Sequence, residues 1–209
     1  MSIAAQFLAA GGVAIDLTAS PEIRQRWTEP SVLEGYRVGG LAAHLGRALL
    51  TVDVYLAGDR PDLSEDVVDA RTYFANALAD HDPTGSTFHT EVRRRGESAA
   101  EAGQVALVEE LRAAQRGLGD VEFDPTSRIS VLAGTAIPLS EYLKTRLVEL
   151  AIHATDLADS VEMATPLIDS QTWAVVVRTI ADTALSRGDS CSVALGLARS
   201  DRYPPACAL

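Results

Sequence analysis

Residues 146–160, RLVELAIHATDLADS, set a carboxylate, an imidazole and a second carboxylate in one row of a helix whose flanks are apolar. A helix turns by about 100° per residue, so with Glu149 at zero His153 lies near 40° and Asp156 near −20°. Leu143, Leu147, Leu150, Ala154 and Leu157 form a stripe on one side of that row, and Val148 and Ile152 lie on the other. Glu141, Lys144, Ala151, Thr155 and Asp159 fall roughly opposite and are the expected solvent face. Glu149 and His153 therefore point into the protein. Burying a charge without compensation costs several kcal/mol, so the fold must bring partners to this row. Two solutions fit the residues: a hydrogen-bonded Glu–His network that includes Arg146, or a metal site. Side chains four apart on a helix are about 6 Å apart and converge on one ion, but a metal needs at least one more ligand from elsewhere.

Helical periodicity dominates the rest of the chain, over roughly 3–17, 38–57, 65–80, 98–117, 140–160 and 169–186, with a short piece near 190–199. The exception is RISVLAGTAIPL, residues 128–139, where β-branched residues flank Ala-Gly-Thr and suit a short hairpin or an extended arm. Ser140 is placed to cap the helix that follows, with Glu141 at its positive end. Pro61, Pro83 and Pro166 fall in connections, and no repeat or linker divides the chain. The expectation is one all-α domain over 1–209, a bundle whose facing helices offer an interior for a site.

Composition narrows the partners. With 29 acidic against 18 basic residues the net charge is −11, which disfavours nucleic acid and anionic membrane surfaces. The basic run RRR at 93–95 lies in the polar stretch HTEVRRRGES and reads as a solvated loop. The apolar opening MSIAAQFLAAGGVAIDL lacks a basic leader, is interrupted by Gln6 and Asp16, and is shorter than the ~20 residues of a membrane span. Cys191 and Cys207 form no C-x-x-C pattern and are too few for a disulfide framework, so a reducing, cytoplasmic setting is expected.

Of the four histidines, His81 and His89 belong to the polar stretch DHDPTGSTFH and read as surface loop residues. His44 differs. It lies at the edge of the stripe Val38, Leu41, Leu45, Ala48, Leu49, Val52 and Leu56, within about 60° of Leu41. Alone it is a hydrogen-bonded histidine at a helix interface. Beside an inward Glu149 and His153 it is a third donor, and three protein ligands with an open position is the pattern of catalytic zinc.

WTEPSVLEGYRVGGLAAHL, residues 27–45, and RLVELAIHATDL, residues 146–157, resemble the two signature segments of the mycothiol-dependent maleylpyruvate isomerase N-terminal family, among the DinB-like metal-binding four-helix bundles. Tyr36 stands where that family often shows Trp. The resemblance implies that His44, Glu149 and His153 bind a divalent metal, usually zinc, at the open end of the bundle. It also implies a substrate-binding arginine after the first His-bearing helix, for which Arg71 is the nearest match, and mycothiol as cosubstrate. Asp156 would orient a ligand histidine through its second nitrogen and Arg146 would offset surplus negative charge, or the two are ordinary ion-pair partners.

A thiol bound to such a metal loses its proton near neutral pH and becomes a nucleophile. Both cysteines lie beyond the sixth helix, so an external low-molecular-weight thiol is expected, acting on a small electrophile as a transferase or isomerase. A metal-dependent hydrolase uses the same ligands with hydroxide, and a small-molecule-binding or regulatory bundle would keep the metal for structure alone. GDSCS at 188–192 lacks the second glycine of a nucleophile elbow, and no phosphate-cradling loop is present.

Overall fold

The first helix, α1 (Ile3–Thr18), begins where the Ser2 hydroxyl accepts the Ala5 amide at 3.2 Å. A single turn, α2 (Pro21–Gln25), follows with Ser20 as its cap and proline in its first position; periodicity over five residues is too short to reveal it. In the computed structural model, residues 1–58, 61, 66–78, 87–124, 126–132, 135–188 and 190–199 are described, with only the backbone at 78, 87–89, 132 and 190. His81, Pro83 and Cys207, and the side chain of His89, lie outside them.

The expected helices form as α3 (Val38–Ala57), α4 (Ala70–Leu78), α6 (Gly103–Gly119), α7 (Leu139–Ser160), α8 (Ser170–Ser186) and α9 (Ser190–Ala198). Two boundaries differ from the sequence reading. The helix expected over 65–80 starts at Ala70, because Asp66–Val67 form strand β1. The stretch expected to open a helix at 98 is instead the end of α5 (Thr87–Ala100), and Gly103, at φ +84°, turns the chain before α6.

The run Arg93–Arg95 is therefore helical, not loop. Glu91 pairs with Arg94 at 2.8 Å and with Arg95 at 3.0 Å, spacings that support a helix, and α5 lies along α3. That packing is close. A side chain at Gly96 would put its Cβ 2.8 Å from the Gly40 carbonyl oxygen and 3.6 Å from His44 Cβ, so glycine here sets the approach of α5 to the His44 turn. Glu97 then accepts the Arg37 amide at 2.8 Å and Arg37 Nε at 2.5 Å, supplying from α5 the cap that the α3 N-terminus lacks of its own.

Strands β2 (Arg128–Leu132) and β3 (Thr135–Pro138) pair antiparallel, Ile129 opposite Ile137, as the hairpin expectation has it. β1 adds a parallel edge to β3, giving the order β1-β3-β2. β3 runs straight into α7, so Pro138 occupies the cap position and Ser140 lies inside the first turn instead of capping it. The Leu139 amide is satisfied by the Ser127 carbonyl at 2.8 Å, and Glu141 does sit in the first turn, where it accepts the Ala70 amide at 3.3 Å.

α1 and α3 each pack on both α6 and α7, closing a ring of four helices around one apolar cluster that includes Phe7, Leu41, Leu45, Leu49, Leu111, Leu147 and Leu150. The architecture is an all-α, DinB-like bundle with a small three-stranded sheet. α7 is its central element, packed by α1, α3, α4 and α8. Its expected solvent face is covered: Ala151 is fully buried, and Glu141 and Lys144 line a cleft with Val175, Arg178, Thr179 and Asp182 of α8; only Asp159 remains exposed. No helix among the described residues is long and apolar enough to cross a membrane.

Candidate functional site

α3 and α7 bring together the three histidine and glutamate side chains that the periodicity turns inward. One carboxylate oxygen, Glu149 Oε2, lies 3.6 Å from His44 Nε2 and 3.4 Å from His153 Nε2. Their ligand atoms all lie within 4.8 Å of one another, and the two imidazoles meet edge to face with ring centroids 4.7 Å apart. The cluster is neither sealed nor open: side-chain exposures are 16% for His44, 24% for Glu149 and 20% for His153.

The two histidines are held differently. His153 Nδ1 lies 3.0 Å from Asp156 Oδ2, one turn along α7, so the carboxylate fixes the ring and directs Nε2 at the cluster. Burial opposes a charge on His153, but Asp156 and Glu149 outweigh it and raise its pKa to about 9. His44 has no such support. Its Nδ1 is buried without a hydrogen-bond partner among the described residues, and burial together with the neighbouring His153 lowers its pKa to about 4. Glu149 titrates well below the usual carboxylate range, because the hydrogen bond from His153 and the charges of Arg146, His153 and His44 override the cost of its burial.

Arg146 continues the polar row one turn before Glu149. Its Nε donates to Thr145 Oγ1 at 3.0 Å, and its guanidinium lies 4.7 Å from the Tyr142 ring centroid and 6.0 Å from that of Tyr73. Tyr142 donates its hydroxyl to Thr51 Oγ1 of α3 at 3.0 Å and stacks edge to face on Tyr55.

Arg71 is not brought to the cluster. It is half exposed, lies 3.5 Å from Asp69, and lines the cleft of about 400 Å³ that Glu141, Lys144, Arg178 and Asp182 share on the far side of α7. The first turn of α4 carries it there, because this helix packs against α8 as well as α7.

Sequence reasoning missed Tyr36 and α5. The Tyr36 ring lies 5.6 Å from that of His44, tilted by 35°, and its phenol is pushed up to about 12 by burial, against the opposing charge of Arg93. Arg93 itself packs beside Gly35. Glycine at 35, 40 and 96 was the available signal, since close helix and turn contacts need it, but the polar composition of α5 hid its partner.

A bundle with a His–Glu–His cluster between facing helices defines a class: helical proteins whose interior brings together side chains that could hold a metal ion. Within that class the chain belongs to the mycothiol maleylpyruvate isomerase N-terminal domain family, whose model matches residues 8–158 and so takes in α3, all but the last two residues of α7, and all three clustered residues. No curated protein and no solved structure matches the chain.

Proposed function

We propose that His44, Glu149 and His153 hold a divalent metal of the zinc class, and that the protein uses it with an external low-molecular-weight thiol of the mycothiol type to transfer to, or isomerise, a small electrophile. The observation that carries this reading is the convergence of two imidazole Nε2 atoms on one carboxylate oxygen, at 3.6 and 3.4 Å. Ligands on a tetrahedral zinc at about 2.0–2.1 Å lie about 3.3 Å apart, close to the two Glu149–histidine separations, and all three ligand atoms lie within 4.8 Å of one another. When bound, such a metal supplies an open position at which a thiol gives up its proton near neutral pH.

The chain's own groups complete the arrangement. Asp156 accepts from His153 Nδ1 and keeps Nε2 for the ligand position, while Glu149 enters already ionised because Arg146 and the histidines favour its charge. Tyr36 walls the His44 side of the cluster. Cys191 is exposed on α9, a helix that packs chiefly on α8 among the described residues, outside the two helices that carry the cluster, which supports a thiol brought by a cosubstrate.

The test is elemental analysis of purified protein followed by calorimetry with mycothiol on the metal-loaded form. About one zinc-class ion per chain and saturable thiol binding are expected. Metal without thiol binding would move the reading to a hydrolase or a binding module, and no metal would remove it.

A further inference from the structure

The outward face of α8 is left uncovered by the described residues. With Ala174 at zero, Ala181 lies near −20°, Leu185 near 20° and Val177 near −60° around the axis, and Arg178 and Asp182 flank them near 40° and 80°. Thr172, Val176, Thr179 and Thr183 lie roughly opposite and are buried, with α4 and α7 packed on the helix. On the outward face Val177 is 53% and Leu185 49% exposed; Ala174, Arg178 and Asp182 are exposed, and Ala181 is half-buried. α9 also packs on α8, yet these side chains stay in contact with water. A helix that buries one stripe normally turns polar residues outward. Here the outer side carries two large apolar side chains about two turns apart.

The face is complementary to itself. In an antiparallel pair of identical helices related by a two-fold axis, each residue meets the one equally far along the chain on the other side of that axis. An axis near Thr179 and Ile180 sets Leu185 over Ala174 of the other copy, Val177 over Ala181 and Arg178 beside Asp182. Large meets small and cation meets anion in one register, and symmetry repeats every contact. The same axis keeps Arg178 and Asp182 on one flank of the seam, whereas a parallel pairing would put them on opposite flanks. Among the described residues neither Arg178 nor Asp182 forms an ion pair, although Asp69 with Arg71 and Glu141 with Lys144 do so in the cleft they share.

We propose that α8 is the contact face between two copies of this chain, packed antiparallel about a two-fold axis, with Leu185 and Val177 seated over the alanines of the other copy and reciprocal Arg178–Asp182 pairs at the rim. The alanines let the helix axes approach to the short end of the usual 8–10 Å range. The net charge of −11 opposes self-association over most of the surface, but on this face the two charges cancel. A helix of 17 residues is about 25 Å long, so the seam is narrow and belongs with the small, reversible interfaces. The charged pairs then fix register and direction more than they add affinity. The His44–Glu149–His153 cluster lies on α3 and α7, so the association is independent of the functional reading above.

Sedimentation equilibrium on the full chain reads the association. Wild type should pass from monomer to dimer with a dissociation constant on the order of 10–100 μM. Arg178→Glu and Asp182→Arg should each weaken the dimer on the order of tenfold or more, because each sets like charges against one another twice across the axis. An equimolar mixture of those two variants should associate as wild type does, since each introduced charge then meets an opposite one. Leu185→Asp should abolish association, and no mixing should restore it. Lys144→Ala, in the neighbouring cleft, should leave the dimer unchanged. Circular dichroism and metal content, both expected to match wild type in every variant, separate a lost contact from a lost fold. Wild type that stays monomeric up to about 500 μM, a dimer indifferent to all three α8 substitutions, or a mixture that fails to recover would overturn the assignment.

Discussion

The two sides of α7 carry similar numbers of charged groups and use them in opposite ways. Toward α8, Lys144 and Glu141 meet at 2.5 Å and Arg71 meets Asp69 at 3.5 Å in a partly open cleft that Arg178 and Asp182 also line. Toward α3, Glu149, His44 and His153 crowd one another, and His44 keeps a nitrogen unpartnered among the described residues. Paired surface charges contribute little and ask nothing of a ligand. Half-buried, incompletely paired charges are retained at a cost that a bound ion offsets. The same helix thus carries ion pairs toward α8 and a crowded, incompletely satisfied group toward α3, which the proposed metal would complete.

Removing a donor from the α3 side should produce the largest effect. His44→Ala, Glu149→Ala and His153→Ala should each take zinc-class metal from about one ion per chain to near none by elemental analysis, whereas Lys144→Ala should leave it unchanged. Equal metal content across all four would break the contrast. Asp156→Asn should keep the three ligands but weaken the hold on His153, lowering metal affinity by about 10- to 100-fold in a competition assay with a chelator. The pH dependence sharpens it further. His153 must give up its proton to bind, and its pKa stands near 9, so apparent affinity should rise by about tenfold per pH unit from neutrality up to about pH 9 and level off above. A flat profile over that range would mean that His153 is no ligand. On the α8 side, Lys144→Ala and Arg71→Ala should shift unfolding by no more than about 1 kcal/mol in urea, with metal content untouched.

Much of the α3 side was legible because it obeys one period. His44, Glu149 and His153 stand at the edges of apolar stripes, and a spacing of about 100° per residue is enough to turn them inward, while their meeting at one site was what the family resemblance implied. What that period could not supply was the surroundings. Ala151, Lys144 and Glu141 look like a solvent face in the α7 sequence, because a single helix does not record that α8 will cover it. α5 was unreadable for the reverse reason: its residues are polar and its docking on α3 depends on Gly96 and Gly40 having no side chains, which leaves no apolar stripe to follow. Arg71 was placed by its distance along the chain from His44, whereas its position is set by the packing of α4 on α8.

The site joins two helices that lie about a hundred residues apart in the chain, and no short segment can form it alone. An isolated α7 would offer two donors and an isolated α3 one, so the proposed chelation would be tight only after the bundle has closed with His44 opposite Glu149. An ion held there would discriminate between native and non-native arrangements: sliding α3 by a single turn moves His44 by about 5.4 Å and breaks the cradle. Free metal at a hundred times its dissociation constant would stabilise the native arrangement by about 2.7 kcal/mol, which would make ion supply a control on the folded fraction of the chain.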